Sequence, residues 1–195
     1  MCIRDSFDHY LLEESGYLAE IMRQEYSDLN LSQSPRIIHS PEARDALRLL
    51  QARDFDVVIT MARVGDMDVN AFGIEAKKIH PGLPVMMLSH NTRELAGLSA
   101  SEGIDRIFVW TGDSRILLSI CKLIEDERNV ENDVRDGDVQ VILLVEDSRR
   151  FYSAYLPLLY TQLVNQTTRL MGEGGNLHEK LLRLRARAKI LLASD

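Results

Sequence analysis

Residues 139–156, VQVILLVEDSRRFYSAYL, constrain the fold more than any other part of the chain. Aliphatic residues (Val139, Val141, Ile142, Leu143, Leu144, Val145) run up to two carboxylates, Glu146 and Asp147, and an amphipathic helical pattern follows at once. A short continuous apolar run bounded by polar residues predicts a strand buried on both faces of a parallel sheet. Acids at its carboxyl end lie where open α/β sheets bind ligands. Adjacent carboxylates repel unless a cation sits between them, and Mg²⁺ prefers such hard oxygen donors. A local alternative exists: Asp147 or Ser148 caps the next helix, and Glu146 is a solvated turn residue.

The remaining sequence repeats the strand–helix rhythm. A helical stripe covers residues 9–29, a short strand 36–39, and Ser40-Pro41-Glu42 opens a helix to about Arg53. FDVVITM (55–61) and PVMMLS (84–89) predict buried strands around a helix at 70–79. A weak helix near 92–98, a strand at 106–110 and a helix from Asp113 to about Arg128 complete this half. Alternation with short loops implies a parallel sheet, so the fold class is α/β and doubly wound. Residues 131–138 are polar and end near Gly137, which predicts a linker; a new strand–helix unit begins at Val139. Pro157 is expected to kink its helix, GEGG at 172–175 breaks the chain, and residues 189–193 form a last strand.

Composition excludes several functions. A net charge of −7 argues against general nucleic-acid or anionic-membrane binding. Residues 151–168 carry no charge, but Gln162, Asn165 and Gln166 interrupt them and their apolar positions are helical in period, so no membrane span is expected. Cys2 and Cys121 form no metal or disulfide pattern, which fits a reducing cytoplasm. His9, His39, His80, His90 and His178 lack ligand spacing, and no phosphate-cradling loop is present, which disfavours a flavin- or nucleotide-using enzyme. Arg183, Arg185, Arg187 and Lys189 form a basic run expected to close a helix and stay solvated.

Both halves resemble the receiver domains of two-component response regulators. In that family two acids follow the first strand, an aspartate ending the third accepts a phosphoryl group, a hydroxyl ends the fourth, and a lysine ends the fifth. The resemblance puts Met61 at the acceptor position of the first half, Ser89 at the hydroxyl position and Trp110 in place of the lysine. A thioether accepts no phosphoryl group, so this half is expected to be a pseudo-receiver. Asp8, Asp66 and Asp68 lie near and suit loop or turn roles. In the second half Glu146 and Asp147 match the Mg²⁺-binding acids, and the acceptor is expected beyond Asp195, so Mg²⁺ binding is expected only in a completed second receiver.

Longer phrases, GIDRIFVW, VQVILLVEDSRRFYSAYLPLLYTQL and LLRLRARAKILLA among them, resemble the N-terminal region of bacterial phosphoenolpyruvate synthase-like proteins. That likeness implies a non-catalytic regulatory segment joined to a downstream catalytic domain of the same parent chain, partnered by a histidine kinase or phosphotransfer protein. Residues 1–6, MCIRDS, resemble translated adapter sequence. The expected layout is therefore a non-native 1–6, a pseudo-receiver at 7–130 lacking its first strand, a linker at 131–138, and the start of a second receiver at 139–195. Such a fragment is expected to be only marginally stable. A rival reading makes both halves interaction scaffolds with vestigial chemistry.

Overall fold

The computed structural model describes residues 2–3, 20, 23, 35–62, 66–90, 102–110, 112–113, 115–137, 139–172 and 187–194. The chain divides into two compact units, Met1–Gly112 and Asp113–Asp195. Among the described residues no helix is long and apolar enough to cross a membrane.

The first unit contains β1 (Cys2–Ile3), β2 (His39–Ser40), α1 (Ala43–Ala52), β3 (Val58–Met61), α2 (Val69–Ile79), β4 (Val85–Ser89) and β5 (Arg106–Val109). The strands form one sheet in the order β2-β1-β3-β4-β5, every pair parallel. This is the flavodoxin-like order shared by receiver domains. Every residue of β3 and β4 is buried, as expected where helices cover both faces of a parallel sheet. Ala43, Ala46 and Leu50 of α1 and Phe72 and Ala76 of α2 share one core with Val58, Val85, Met87 and Ile107. Small alanines at the contact let the helices approach closely.

Two local devices fix α2. Gly73 lies against the turn at Gly103, where a Cβ would come 2.0 Å from the Gly103 carbonyl oxygen. The Gly103 amide donates to Asn70 Oδ1 at 3.1 Å, which anchors the same contact. At the end of α1, His80 Nε2 lies 2.8 Å from the Leu50 carbonyl, giving an otherwise orphaned helix acceptor a partner.

The expectation that the first copy lacks a first strand is corrected. Cys2–Ile3 pairs with β2 on one side and β3 on the other, filling the place between them in the sheet. Sequence periodicity cannot register a strand of two residues, so the segment read as foreign gave no signal of pairing. The helix expected at 9–29, the weak helix near 92–98, and His9, Asp8 and His178 lie outside the described residues, apart from Glu20 and Arg23 within that first helix.

The second unit contains α3 (Arg115–Gly137), β6 (Val141–Val145), α4 (Arg149–Gly172) and β7 (Lys189–Ala193). β6 and β7 pair in parallel with Val141 opposite Lys189, and α3 lies against α4 and β7. The predicted linker is helical instead: α3 continues through residues 131–137. Polarity alone does not end a helix, and the first strong helix breaker after Arg128 is Gly137.

β6 also departs from expectation. Among the described residues it pairs on one edge only, and Val141, Leu143 and Val145 are exposed, Leu143 at 63%. A continuous apolar run fits burial on both faces but does not require it. α4 runs unbroken through Pro157, which is buried, with Thr161 Oγ1 donating to the Pro157 carbonyl at 2.6 Å.

Candidate functional site

In the first unit the candidate residues stand at the carboxyl ends of three neighbouring strands. Met61 ends β3 opposite Leu88, Ser89 ends β4 opposite Val109, and the Trp110 amide donates to the Ser89 carbonyl at 2.9 Å. All three side chains are buried. The topology thus brings together three residues that are far apart in sequence, at the sheet edge where α/β proteins place ligands.

What this edge can do chemically is limited. Met61 offers a weak thioether acceptor and no anionic oxygen. Trp110 offers an indole N–H in place of a cation, and its ring stacks on His90 with centroids 5.3 Å apart and planes 24° apart. Trp110 is 4% exposed, and its Nε1 has no acceptor among the described residues.

The neighbouring acids are spent on helix termini. Asp66 Oδ1 accepts the Ala43 amide at 2.9 Å, capping α1 from a loop over twenty residues on, because Glu42 at the N-cap makes no side-chain bond. Asp68 is the N-cap of α2 and accepts the Ala71 amide at 3.0 Å. Both carboxylates lie near a helix dipole's positive end, where negative charge is stabilised.

In the second unit Glu146 and Asp147 follow β6 directly. The Glu146 amide donates to the Ala193 carbonyl at 3.1 Å, extending the β6–β7 ladder by one bond. Glu146 Oε1 accepts the Ser148 amide at 2.9 Å, and the Ser148 carbonyl accepts the Phe151 and Tyr152 amides that open α4. Asp147 is exposed. The pair offers hard oxygens at a strand end, a donor type that suits Mg²⁺ with water completing the shell. Among the described residues no group of three or more His, Cys, Asp or Glu is placed to hold a metal.

The most strongly built polar cluster is one that the sequence reading missed. Asp126 of α3 is 0% exposed. Its carboxylate accepts from Arg187 Nη2 at 2.5 Å, Arg187 Nη1 at 3.1 Å, Tyr160 Oη at 3.1 Å and the Ile190 amide at 2.9 Å. Lys189 Nζ sits 3.8 Å from Asp126 and 2.7 Å from Asp133. The Arg187 guanidinium also lies over the Tyr160 ring, 5.5 Å from its centroid. Burial, then the Asp126 charge, pushes the Tyr160 phenol far above its ordinary value.

This cluster corrects the basic-run expectation at two positions: Arg187 and Lys189 are ion-paired inside the unit rather than solvated, while Arg183 and Arg185 lie outside the described residues. A signal did exist. Asp126 falls three residues after Leu123 on the apolar stripe of its helix, where a charge needs a partner.

No protein-family model matches the chain, and no curated protein matches it. Among solved structures the chain is similar to the signal receiver domain of an HD domain-containing protein from Pseudomonas fluorescens Pf-5, with 22% identity and a TM-score of 0.44 over 60% of this chain and 87% of that one.

Proposed function

We propose that the chain is the receiver region of a two-component phosphorelay, a regulatory module of a larger protein. The observation that carries the reading is the parallel order β2-β1-β3-β4-β5 with Met61, Ser89 and Trp110 at adjoining strand ends. Met61 in place of an acceptor aspartate makes the first unit a pseudo-receiver that docks or senses. The second unit contributes Glu146 and Asp147, which would hold Mg²⁺, and its acceptor aspartate belongs to a segment after Asp195. The bound metal would neutralise charge on a transferring phosphoryl group. A histidine kinase or phosphotransfer protein is the proposed donor, and a phosphoenolpyruvate synthase-like domain the proposed output.

Titration of Mg²⁺ into the second receiver completed by the segment after Asp195, with amide NMR readout at Glu146, Asp147 and Ser148, tests the metal arm. Saturable shifts that vanish in Glu146→Ala/Asp147→Ala support it, and their absence in the parent chain sinks it. A phosphoryl adduct on the first unit after acetyl phosphate treatment would overturn the pseudo-receiver assignment.

The scaffold reading is favoured by one specific observation: Glu146 Oε1 already serves as acceptor for the Ser148 amide that opens α4. If the double alanine variant still regulates the attached catalytic domain as the parent does, scaffold replaces phosphorelay.

A further inference from the structure

We infer that the exposed face of α4 is a dimer interface, occupied by the same face of a second copy lying parallel and in register. The inference does not rest on phosphoryl transfer, but it requires that the segment the proposed receiver places after Asp195 leave this face open. Phe151, Tyr155, Leu158, Gln162 and Asn165 are all exposed, and they recur at alternating intervals of four and three residues. That is the spacing of a coiled-coil seam. Pro157 points to the buried side, so its missing N–H does not interrupt the seam.

Charge selects the occupant. Residues 151–168 carry no charged side chain in a chain that is 27% charged and has net charge −7. Like-charge repulsion disfavours contact through the charged surfaces of two acidic copies, and α4 lets them meet without like charges across the seam.

The orientation follows from the chemistry along the seam. Its first half is apolar, with Phe151 and Tyr155 rings stacked 6.0 Å apart, and its second half is amide. Parallel, in-register packing sets Gln162 against Gln162 and Asn165 against Asn165, and an amide can both donate to and accept from its own kind. Buried Asn pairs favour this arrangement in parallel dimers. Antiparallel packing would set amides against aromatic rings and leave them unsatisfied.

Area sets the strength. Phe151, Tyr155 and Leu158 are 48%, 42% and 56% exposed. With the amides they offer roughly 500 Å² per copy, against about 800 Å² for a standard interface. An interface of this size falls in the weak, transient class.

Sedimentation velocity of the full chain from about 5 to 500 µM tests this. The expected result is a monomer–dimer equilibrium that Leu158→Glu weakens at least tenfold and Leu143→Glu, on the exposed face of β6, leaves unchanged. Gln162→Lys is a second disruption that removes no apolar surface. In a Cys2→Ser/Cys121→Ser chain, Asn165→Cys should cross-link to itself on oxidation. A monomer at every concentration, or a dimer lost with Leu143→Glu but kept with Leu158→Glu, overturns the interface; a dimer without the cross-link overturns its register.

Discussion

Replacing Asp126 by asparagine is expected to uncouple β7 from α3. The carboxylate is fully buried and accepts from both Arg187 nitrogens, the Tyr160 hydroxyl and the Ile190 amide. Asparagine keeps one acceptor oxygen, so at least one of those donors loses its partner. Its amide nitrogen is also a donor facing donors. Worse, the Arg187 guanidinium, with a side chain only 12% exposed, keeps its charge without a counter-charge at that contact. Breaking a buried ion pair from one side costs about 3–5 kcal/mol. That is a large share of the roughly 5–15 kcal/mol by which a domain is stable, and a small unit falls at the low end.

Hydrogen exchange read by mass spectrometry resolves the effect by segment. Asp126→Asn should raise exchange in Val141–Val145 and Lys189–Ala193 by orders of magnitude, while β3 and β4 stay protected. Trp110, the single tryptophan, lies in the first unit and reports that unit's unfolding separately. Tyr160→Phe is the control: Asp126 keeps its other donors, so the loss should be about 0.5–1.5 kcal/mol. Asp126→Asn costing less than about 1 kcal/mol, or exchange rising equally in both units, would refute the reasoning.

Three further outcomes follow from the geometry. Gly73→Ala places a methyl 2.0 Å from the Gly103 carbonyl and should cost at least about 1–3 kcal/mol, seen as a lower urea midpoint by Trp110 fluorescence; an unchanged midpoint would contradict the contact. Asp66→Ala removes the carboxylate that caps α1 and should cost about 0.5–2 kcal/mol, whereas Asp66→Asn should retain most of it by the same measurement. Tyr160 has a folded pKa raised above its ordinary 10.0, so stability is full below pH 10 and falls as pH rises beyond it, because only the unfolded chain ionises there. Urea midpoints from pH 8 upward should show that loss in the parent and not in Tyr160→Phe.

Much of the fold was legible because its signals are local. The buried strands ending at Met61 and Ser89 are continuous apolar runs, and α1 and α2 carry helical stripes, although α1 starts at Ala43 rather than at Pro41 and takes its cap from Asp66 instead of Ser40. The lost information was non-local. β1 is strand-like only because β2 and β3 flank it, and nothing within CI announces that. The Asp126 cluster joins α3 to residues more than sixty positions later, and only the closed structure makes Arg187 a counter-ion rather than a solvated cation. Met61, Ser89 and Trp110 were found through a family pattern, and parallel topology explains why positions so distant share one edge. The exposure of β6 was illegible for the opposite reason: composition describes what a strand can bury, not what packs on it.

The two-residue strand β1 has a mechanical consequence. Among the described residues β2 reaches the block β3–β4–β5 only through Cys2–Ile3, while β3 and β4 share a register of four residue pairs. Under tension applied across the sheet, force concentrates on the shortest ladder, and rupture should begin there as a small first event before the wider β3–β4 seam yields. In a single-molecule pulling trace this sheet would behave as a fuse wired in series with a stronger link.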